Sequence, residues 1–335
     1  MQHDSSSSDS SALSVVGIDV SKATLDCYID PSGKRLALAN DDKGIAKLIS
    51  HLQALRIKLV VIEATGRLHR HVAAELLDAN IPVTLVNPQR AREYAKSIGR
   101  LEKTDRVDAE VLARFGTGGA DHLLLQKRPE KQVELDDLIS RRRALVHMRV
   151  AEKNRLAEAN QPKLAKTQAR QLLRLIEQQI QDIDRAIAKL IDSDDDWKRK
   201  SQIITSIPGV STGTANQLLA DLPELGDLSR QTIAKLAGVA PLANDSGPRK
   251  GLRSIQGGRQ CVRNALYMAA FNAMKNCERF KQFAARLTKA GKAFKVVVTA
   301  TMRKLLITLN QMIKTNTVYE PKSFSLKPAF SVPNT

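Results

Sequence analysis

Four carboxylates occupy positions where an unliganded acid would be costly. Asp19 ends one run of apolar residues and Glu63 ends another, so we predict both at the carboxyl ends of central strands. Asp105 and Asp108 are three residues apart, which places them on one face of a helix. The helical period groups these two acids with three apolar residues: Leu101, Leu112 and Phe115.

Acids on inward faces repel each other and lose hydration, and a hard divalent cation offsets both penalties. Carboxylate oxygens suit Mg²⁺, with Mn²⁺ as a substitute, and a set of four suits two ions about 3.5–4 Å apart in phosphodiester chemistry. Taken singly, each acid would more often be a surface residue or a helix cap. His69 and His71 are two residues apart and face apart on a helix, so they are not proposed as metal ligands.

A second candidate is Ser246, which precedes Gly247 and Pro248 in a predicted turn. A serine hydroxyl can attack phosphorus if cations neutralise the developing charge, and basic residues follow closely. On spacing alone, an ordinary Ser-Gly turn is the better interpretation.

The net charge of +18 is unevenly distributed. Residues 196–335 have a net charge of +15, whereas residues 1–195 have only +3. The C-terminal part is therefore predicted to bind nucleic acid, and 4% aromatic residues favour phosphate contact over base stacking. A merely soluble basic face is the alternative. Loops and helix starts supply the predicted contacts: Arg249, Lys250, Arg253, Arg259, Arg263, Lys289, Lys292 and Lys295.

Composition indicates a folded, intracellular protein. A chain of 335 residues with 42% hydrophobic residues can form two or three domains. Cys27, Cys261 and Cys277 have no paired spacing, so we expect buried, inert thiols in a reducing compartment. No apolar stretch suits a membrane span and the start does not resemble a signal peptide, so a bacterial cytoplasmic location is expected.

The pattern predicts α/β structure followed by α structure. A β-meander and then βα units give a mixed sheet over residues 14–128, after a disordered leader at 1–13. A helical hairpin over 129–195 precedes a mainly helical domain at 196–316 and a tail at 317–335. In the last domain, a Pro-Gly turn at 206–210 between two helices either contacts DNA phosphates or only packs the helices.

The second arm of the predicted hairpin has the apolar spacing of a coiled coil. The two arms could satisfy each other within one chain, but we favour contacts with a second chain. The residues with this spacing, called the seam below, are Leu173, Ile176, Ile180, Ile183, Ile187 and Leu190.

Nine segments in order resemble the DEDD transposases of the IS110 insertion-sequence family, over about residues 14–316. Some contain the candidate acids or serine, and the others lie between them. They are Gly17-Ile-Asp19, Ile62-Glu-Ala-Thr-Gly66, Asn87-Pro88, Lys103-Thr-Asp-Arg-Val-Asp-Ala109, Ser206-Ile-Pro-Gly-Val210, Leu236-Ala-Gly-Val-Ala-Pro241, Ser246-Gly247, Arg263-Asn-Ala-Leu-Tyr-Met268 and Met302-Arg-Lys-Leu305.

This resemblance implies an N-terminal RuvC-like ribonuclease H fold, a coiled-coil linker and a transposase domain with a nucleophilic serine. Asp19, Glu63, Asp105 and Asp108 match the metal-binding tetrad, and Ser246 matches the serine. Pro248 departs from the family's looser loop, and the serine-rich leader and the tail are unmatched.

The family further implies a noncoding bridge RNA that pairs with target and donor DNA, and oligomers in which acids and serine come from different protomers: a dimer, and a tetramer in the synaptic complex. The resulting hypothesis is an RNA-guided DNA recombinase with a magnesium-dependent phosphoserine intermediate. Two alternatives are a Holliday-junction endonuclease that uses the carboxylates with water, and a non-catalytic nucleic-acid-binding protein.

Overall fold

The structure is a computed structural model that describes residues 13–64, 66–100, 105–118, 124–158, 162–242, 251 and 253–320, without the side chains of 105–107. The chain divides into two compact units, one up to Arg128 and one from Pro129. Within the described residues, no helix has the length and apolar character needed to cross a membrane.

The first unit contains five strands and four helices among its described residues. Their bounds are β1 (Ser14–Val20), β2 (Thr24–Asp30), β3 (Lys34–Ala39), α1 (Asp42–Gln53), β4 (Ile57–Glu63), α2 (His69–Asp78), β5 (Val83–Val86), α3 (Pro88–Ser97) and α4 (Asp105–Thr117).

The sheet has the strand order β3-β2-β1-β4-β5. β1 is antiparallel to β2 and parallel to β4, β2 is antiparallel to β3, and β4 is parallel to β5. β1 and β4 are apolar along both faces because they lie inside the sheet, with helices on either side. This mixed sheet with helices on both faces confirms the predicted α/β class for the N-terminal part.

Each face of the sheet has its own core. On one face, Ile18 and Ile62 pack with residues of α1 and α2, such as Leu48 and Leu76. On the other face, apolar residues of β1, β4 and β5 pack with α3 and α4: Val15, Leu59, Val61, Val86, Ala91, Leu112 and Phe115. The second core is the one that positions the candidate acids, because α4 carries two of them.

The stretch after β5 forms two helices, α3 and α4. Asn87 caps the start of α3 by accepting a hydrogen bond from the Gln89 amide at 2.8 Å. Gly99 follows the helix with a φ of 76°, a conformation that interrupts it. Leu101, predicted to share the face of the acids, lies outside the described residues.

The second unit is mainly helical, as predicted. Its elements are α5 (Glu130–Ala157), α6 (Lys163–Asp192), α7 (Asp195–Thr205), α8 (Thr212–Asp221), α9 (Arg230–Leu236), β6 (Pro241–Leu242), β7 (Ser254–Ile255), α10 (Gln260–Asn276), α11 (Glu278–Lys289) and α12 (Phe294–Lys314). Leu135 and Ile139 of α5 and Ile187 of α6 share one core with the later helices. The base of the hairpin is therefore part of the helical domain.

The seam of α6 is closed within the chain. Ile176 and Ile180 pack on Leu145 of α5, and Ile187 is fully buried. Arg142 on α5 also pairs with Asp184 on α6 at 2.5 Å. The preference for a second chain at this seam is therefore wrong, because the antiparallel arm already fills the apolar face.

The Pro-Gly turn between α7 and α8 packs into the protein. Gly209 has a φ of 94°, and a Cβ there would lie 2.7 Å from the backbone of Asn272 in α10. Ile207 and Val210 are buried on either side. Of the two interpretations of this turn, the contacts favour helix packing.

Candidate active site

Asp19 and Glu63 lie side by side at one end of the sheet. The parallel ladder between β1 and β4 places Gly17 opposite Val61 and Ile18 opposite Ile62. The next residue on each strand is one of the two acids, and both are half-buried. Since neighbouring strands lie about 4.8 Å apart, the two carboxylates begin from adjacent backbone positions.

Helix α4 runs antiparallel to β1 across the face that carries these acids. Gly116 near the end of the helix contacts Val15 and Val61, whereas Ala109 and Ala113 contact Gly17. From Gly17 to Asp19, β1 advances by two residues, which is about 6.6 Å. Over the same distance the antiparallel helix goes back by between four and five residues, at about 1.5 Å each. Asp19 is therefore level with the stretch of α4 between Asp105 and Asp108.

Two glycines allow this close packing. A Cβ on Gly17 would collide with the backbone of Ala109 and Ala113 in α4. A Cβ on Gly116 would lie 2.6 Å from the methyl groups of Val15 and Val61. The absence of side chains at these two positions lets the helix lie directly on the strands, which sets the depth at which its acids meet the sheet.

The structure thus brings the backbone positions of the predicted tetrad to one end of the sheet. Asp108 is half-buried, and Asp105 begins α4 but its side chain lies outside the described atoms. Among the side chains that are described, no three His, Cys, Asp or Glu residues form a group able to hold a metal ion. The donor set consists of carboxylates only, and this chemistry fits a hard ion such as Mg²⁺.

One carboxylate at this end was missed from the sequence. Asp26 of β2 is directly opposite Asp19 in the antiparallel ladder, so both project from the same face of the sheet. It accepts a hydrogen bond from Thr24 Oγ1 at 3.3 Å. The face of the sheet on which Asp26 lies could have been predicted from the sequence, because Leu25, Cys27 and Ile29 alternate toward the opposite core and leave Asp26 on this face.

Glu110 shows that an acid of α4 can instead have a structural role. Its carboxylate pairs with Arg35 of β3 at 2.6 Å, with Arg114 at 2.8 Å and with Arg100 at 3.1 Å. Three guanidinium groups neutralise this carboxylate and fix α4 against the edge of the sheet. Glu110 is therefore not a candidate metal ligand.

Cysteine chemistry has no place at this site. Cys27 and Cys277 are buried and unpaired, as expected, while Cys261 is half-buried. Burial, with a smaller effect of the neighbouring Asp26 charge, raises the pKa of the Cys27 thiol to about 12. A thiol that stays protonated is a poor nucleophile, so Cys27 is not a candidate nucleophile.

Ser246 lies outside the described residues, as do Arg249 and Lys250. The chain that flanks them is described: β6 and β7 form a two-stranded ribbon in which Leu242 is opposite Ser254. The segment with Ser246 therefore leaves and returns at adjacent positions of one ribbon.

The base of this ribbon is held by two predicted nucleic-acid contacts that have internal partners here. Arg259 makes two 2.7 Å hydrogen bonds to Glu224 and donates to the Asp221 carbonyl at 3.0 Å. Arg263 donates to the Gly257 carbonyl next to the ribbon. Nucleic-acid contact by these two arginines stays a prediction; in the structure both arginines bind groups within their own unit.

The remaining predicted contacts are solvent-exposed. This set consists of Arg253, Lys289, Lys292 and Lys295. Their exposure is compatible with phosphate contact, which stays a prediction for each of them.

Comparison with known proteins defines the class and then the family. Residues 16–159 match a family model for the IS110 transposase DEDD domain, and residues 201–285 match one described as "Transposase IS116/IS110/IS902 family". These matches define an enzyme of DNA recombination. The chain belongs to the IS110 family of transposases.

Two relatives are each called "Pilin gene-inverting protein", one from Moraxella bovis and one from Moraxella lacunata. Each is 28% identical over 317 residues, which cover 92% of this chain and 98% of the relative. Two solved structures of RuvC from Thermus thermophilus, one alone and one with a Holliday junction substrate, cover 34% of this chain and 100% of their own. They are 15% identical to this chain, with a TM-score of 0.26.

Proposed function

We propose that this transposase cleaves and rejoins DNA through a phosphoserine intermediate at Ser246, with divalent metal bound by Asp19, Glu63, Asp105 and Asp108 and with target choice made by a bridge RNA. The observation that supports it most strongly is the packing of α4 on β1, which brings the backbone positions of all four acids to one end of the sheet.

Bound Mg²⁺, or Mn²⁺, would supply positive charge to the phosphate oxygens on which negative charge develops. Asp19 and Glu63 would hold the metal from rigid strands, and Asp105 and Asp108 from the first turns of α4. The tight contact at Gly17 supports this role, because it limits motion of the helix relative to the strands.

In the covalent step, Ser246 Oγ attacks a DNA phosphorus. A bond forms between Oγ and phosphorus, the bond from phosphorus to the 3′ oxygen breaks, and the serine proton ends on the released 3′-hydroxyl. A 3′-hydroxyl from the partner strand then attacks the same phosphorus and regenerates the serine. The phosphodiester energy is conserved in the protein–DNA bond, so rejoining needs no other energy source.

The rival is hydrolysis by water at the carboxylates alone, as in a junction endonuclease. The described residues carry the acid positions and not Ser246, so they favour neither nucleophile. Only the serine mechanism predicts a covalent protein–DNA species and conservative rejoining.

Ser246→Ala separates these mechanisms, and Ser254→Ala is the matched control because Ser254 is a serine of the same ribbon. Denaturation during reaction should trap labelled DNA on the wild type and on Ser254→Ala, and not on Ser246→Ala. Wild-type strand joining by Ser246→Ala would refute the phosphoserine step and establish the water-based reaction.

RNA guidance is supported by family membership and by the charge of residues 196–335, since phosphate contact gives affinity without sequence and base pairing can then supply the choice. Protein purified from cells that carry its element should retain a discrete noncoding RNA. Changing one guide loop should redirect insertion. Site choice that persists in RNA-free protein would refute guidance.

The oligomeric assembly also belongs to this proposal. With the seam filled, a second chain has another apolar surface available on α6, which we call the outer stripe: Leu164, Leu172 and Leu175, between 43% and 69% exposed. Their spacing places them along one side of the helix. We propose that the outer stripe contributes to dimer contacts.

The division into a catalytic domain at 14–128, a hairpin at 129–195 and a transposase domain at 196–316 remains part of the proposal. A bacterial cytoplasmic location follows from the same reaction, since its DNA substrate is there.

A further inference from the structure

The last three helices contain many cations and few acids. Residues 262–320 include eleven Lys and Arg residues but only Glu278 and Glu320 as acids. Such an excess cannot be neutralised within the segment, so it needs counterions or a bound polyanion. The side-chain contacts show where the excess is concentrated.

Two cations of this segment converge on the ring of Phe283 in α11. The Lys304 ammonium, from α12, lies 4.1 Å from the ring centroid, and the Arg286 guanidinium lies 5.5 Å from it. Cation–π attraction favours these positions and holds the two groups near each other. Within the described part of the chain, neither Lys304 nor Arg286 has an ion pair.

The cluster is electrostatically unfavourable as it stands. Partial burial, followed by the positive charges of Arg279 and Arg286, lowers the pKa of Lys304 to about 8. Among the residues that the structure describes, the charged groups that act on this lysine are those two arginines of α11. An anion at this position would relieve the repulsion among them.

We propose that Arg286 and Lys304, which lie against the ring of Phe283, form with the nearby Arg279 a binding site for a backbone phosphate of nucleic acid. The proposal rests on the nucleic-acid binding that the proposed function requires, and not on RNA guidance or on serine chemistry. The ring already has cations against it, so the site is suited to phosphate contact rather than to base stacking. None of these residues was among the contacts predicted from the sequence.

DNA and RNA share this phosphate chemistry, so the experiment uses both. Binding of a labelled duplex DNA and of a labelled structured RNA is measured by fluorescence anisotropy in EDTA, where metal-dependent cleavage does not interfere. The variants are Lys304→Gln and Arg286→Gln. The matched control is Lys314→Gln, which removes one positive charge from an exposed residue at the end of the same helix.

Each site variant should weaken binding by about tenfold or more, the size of one lost charge-assisted hydrogen bond. The slope of log affinity against log salt should fall by about one for each variant. Lys314→Gln should change affinity by about twofold or less, because a screened, distant charge contributes little. The nucleic acid with the larger loss is the one that occupies the site.

Lys304→Arg adds a readout that a structural role would not produce. Between about pH 7 and pH 9, wild-type affinity should decline because Lys304 loses its proton in the free protein, whereas an arginine stays charged. Affinity of Lys304→Arg should stay level over that range. Other groups that titrate there are common to both proteins.

Equal binding by Lys304→Gln, Arg286→Gln and Lys314→Gln would overturn the site while leaving the proposed function standing. Absence of wild-type binding to either nucleic acid would instead contradict the proposed function. Thermal unfolding by circular dichroism accompanies each variant. Arg286 is exposed, so its variant keeps the test decisive even if Lys304→Gln unfolds.

Discussion

The acid end of the first unit and the cationic helices of the second unit are built in opposite ways. Around Asp19, acids converge where α4 lies directly on the strands, and glycines make the close approach possible. Around Phe283, cations converge on an aromatic ring at a partly exposed surface. The first arrangement suits a bound metal and the second a bound phosphate. Catalysis and affinity should therefore be separable by mutation.

The mutations with the largest expected effect separate catalysis from nucleic-acid affinity. Asp19→Asn, Glu63→Gln, Asp105→Asn and Asp108→Asn should each lower the DNA cleavage rate by about 10²-fold or more, because a metal site loses a ligand. Nucleic-acid affinity in EDTA should stay within about twofold, since it comes from phosphate contacts elsewhere.

Glu93→Gln is the matched control, because Glu93 is an exposed acid of α3 in the same unit. It should cleave like the wild type. Normal cleavage by any two tetrad variants at saturating Mg²⁺ would remove the acid end from the mechanism.

The hairpin of α5 and α6 gives a second comparison, because mutations in the seam should lower stability whereas mutations in the outer stripe should weaken self-association. Ile180→Ala and Ile187→Ala should each lower the free energy of unfolding by about 2–5 kcal/mol, since both side chains are buried within the chain. Leu172→Ala with Leu175→Ala should leave unfolding nearly unchanged and weaken self-association. Denaturant titration and sedimentation measure the two effects. Dissociation caused by the seam variants without loss of stability would contradict the closed seam.

Variants of Arg259 test whether a basic residue of the second unit stabilises the fold and does not serve only to bind nucleic acid. Arg259→Gln should destabilise the domain by about 1–3 kcal/mol, because Glu224 is left without its bidentate partner. The exchange Arg259→Glu with Glu224→Arg should restore part of that loss. A residue that only contacts nucleic acid would show no thermal effect and no rescue, so thermal unfolding of these two variants decides.

The smallest effect concerns Asp26. Asp26→Asn should change the Mg²⁺ concentration for half-maximal cleavage by about twofold to fivefold, because it alters the charge opposite Asp19 without removing a proposed ligand. Magnesium titration of cleavage measures the change. A loss as large as that of Asp19→Asn would place Asp26 among the ligands.

Periodicity and spacing were sufficient for the acids but not for their surroundings. Asp19 and Glu63 could be predicted together because strand ends are marked by apolar runs. Alternation of Leu25, Cys27 and Ile29 indicates the face of Asp26 but not its position opposite Asp19, which depends on the hairpin register. The ion pairs of Glu110 could not be predicted either, since its arginines come from three separate places in the chain.

The sequence by itself determined the mixed sheet, the mainly helical second unit and the positions of the four acids, because these follow from local apolar patterns. Tertiary structure decided which partner each surface meets. The apolar spacing of the seam on α6 would be the same for a partner helix in its own chain or in another chain. Only the packing of α6 on α5 shows which partner it meets. Likewise, Arg259 and Lys304 are both basic residues in one basic region, yet packing gives the first an acid and the second a ring and like charges.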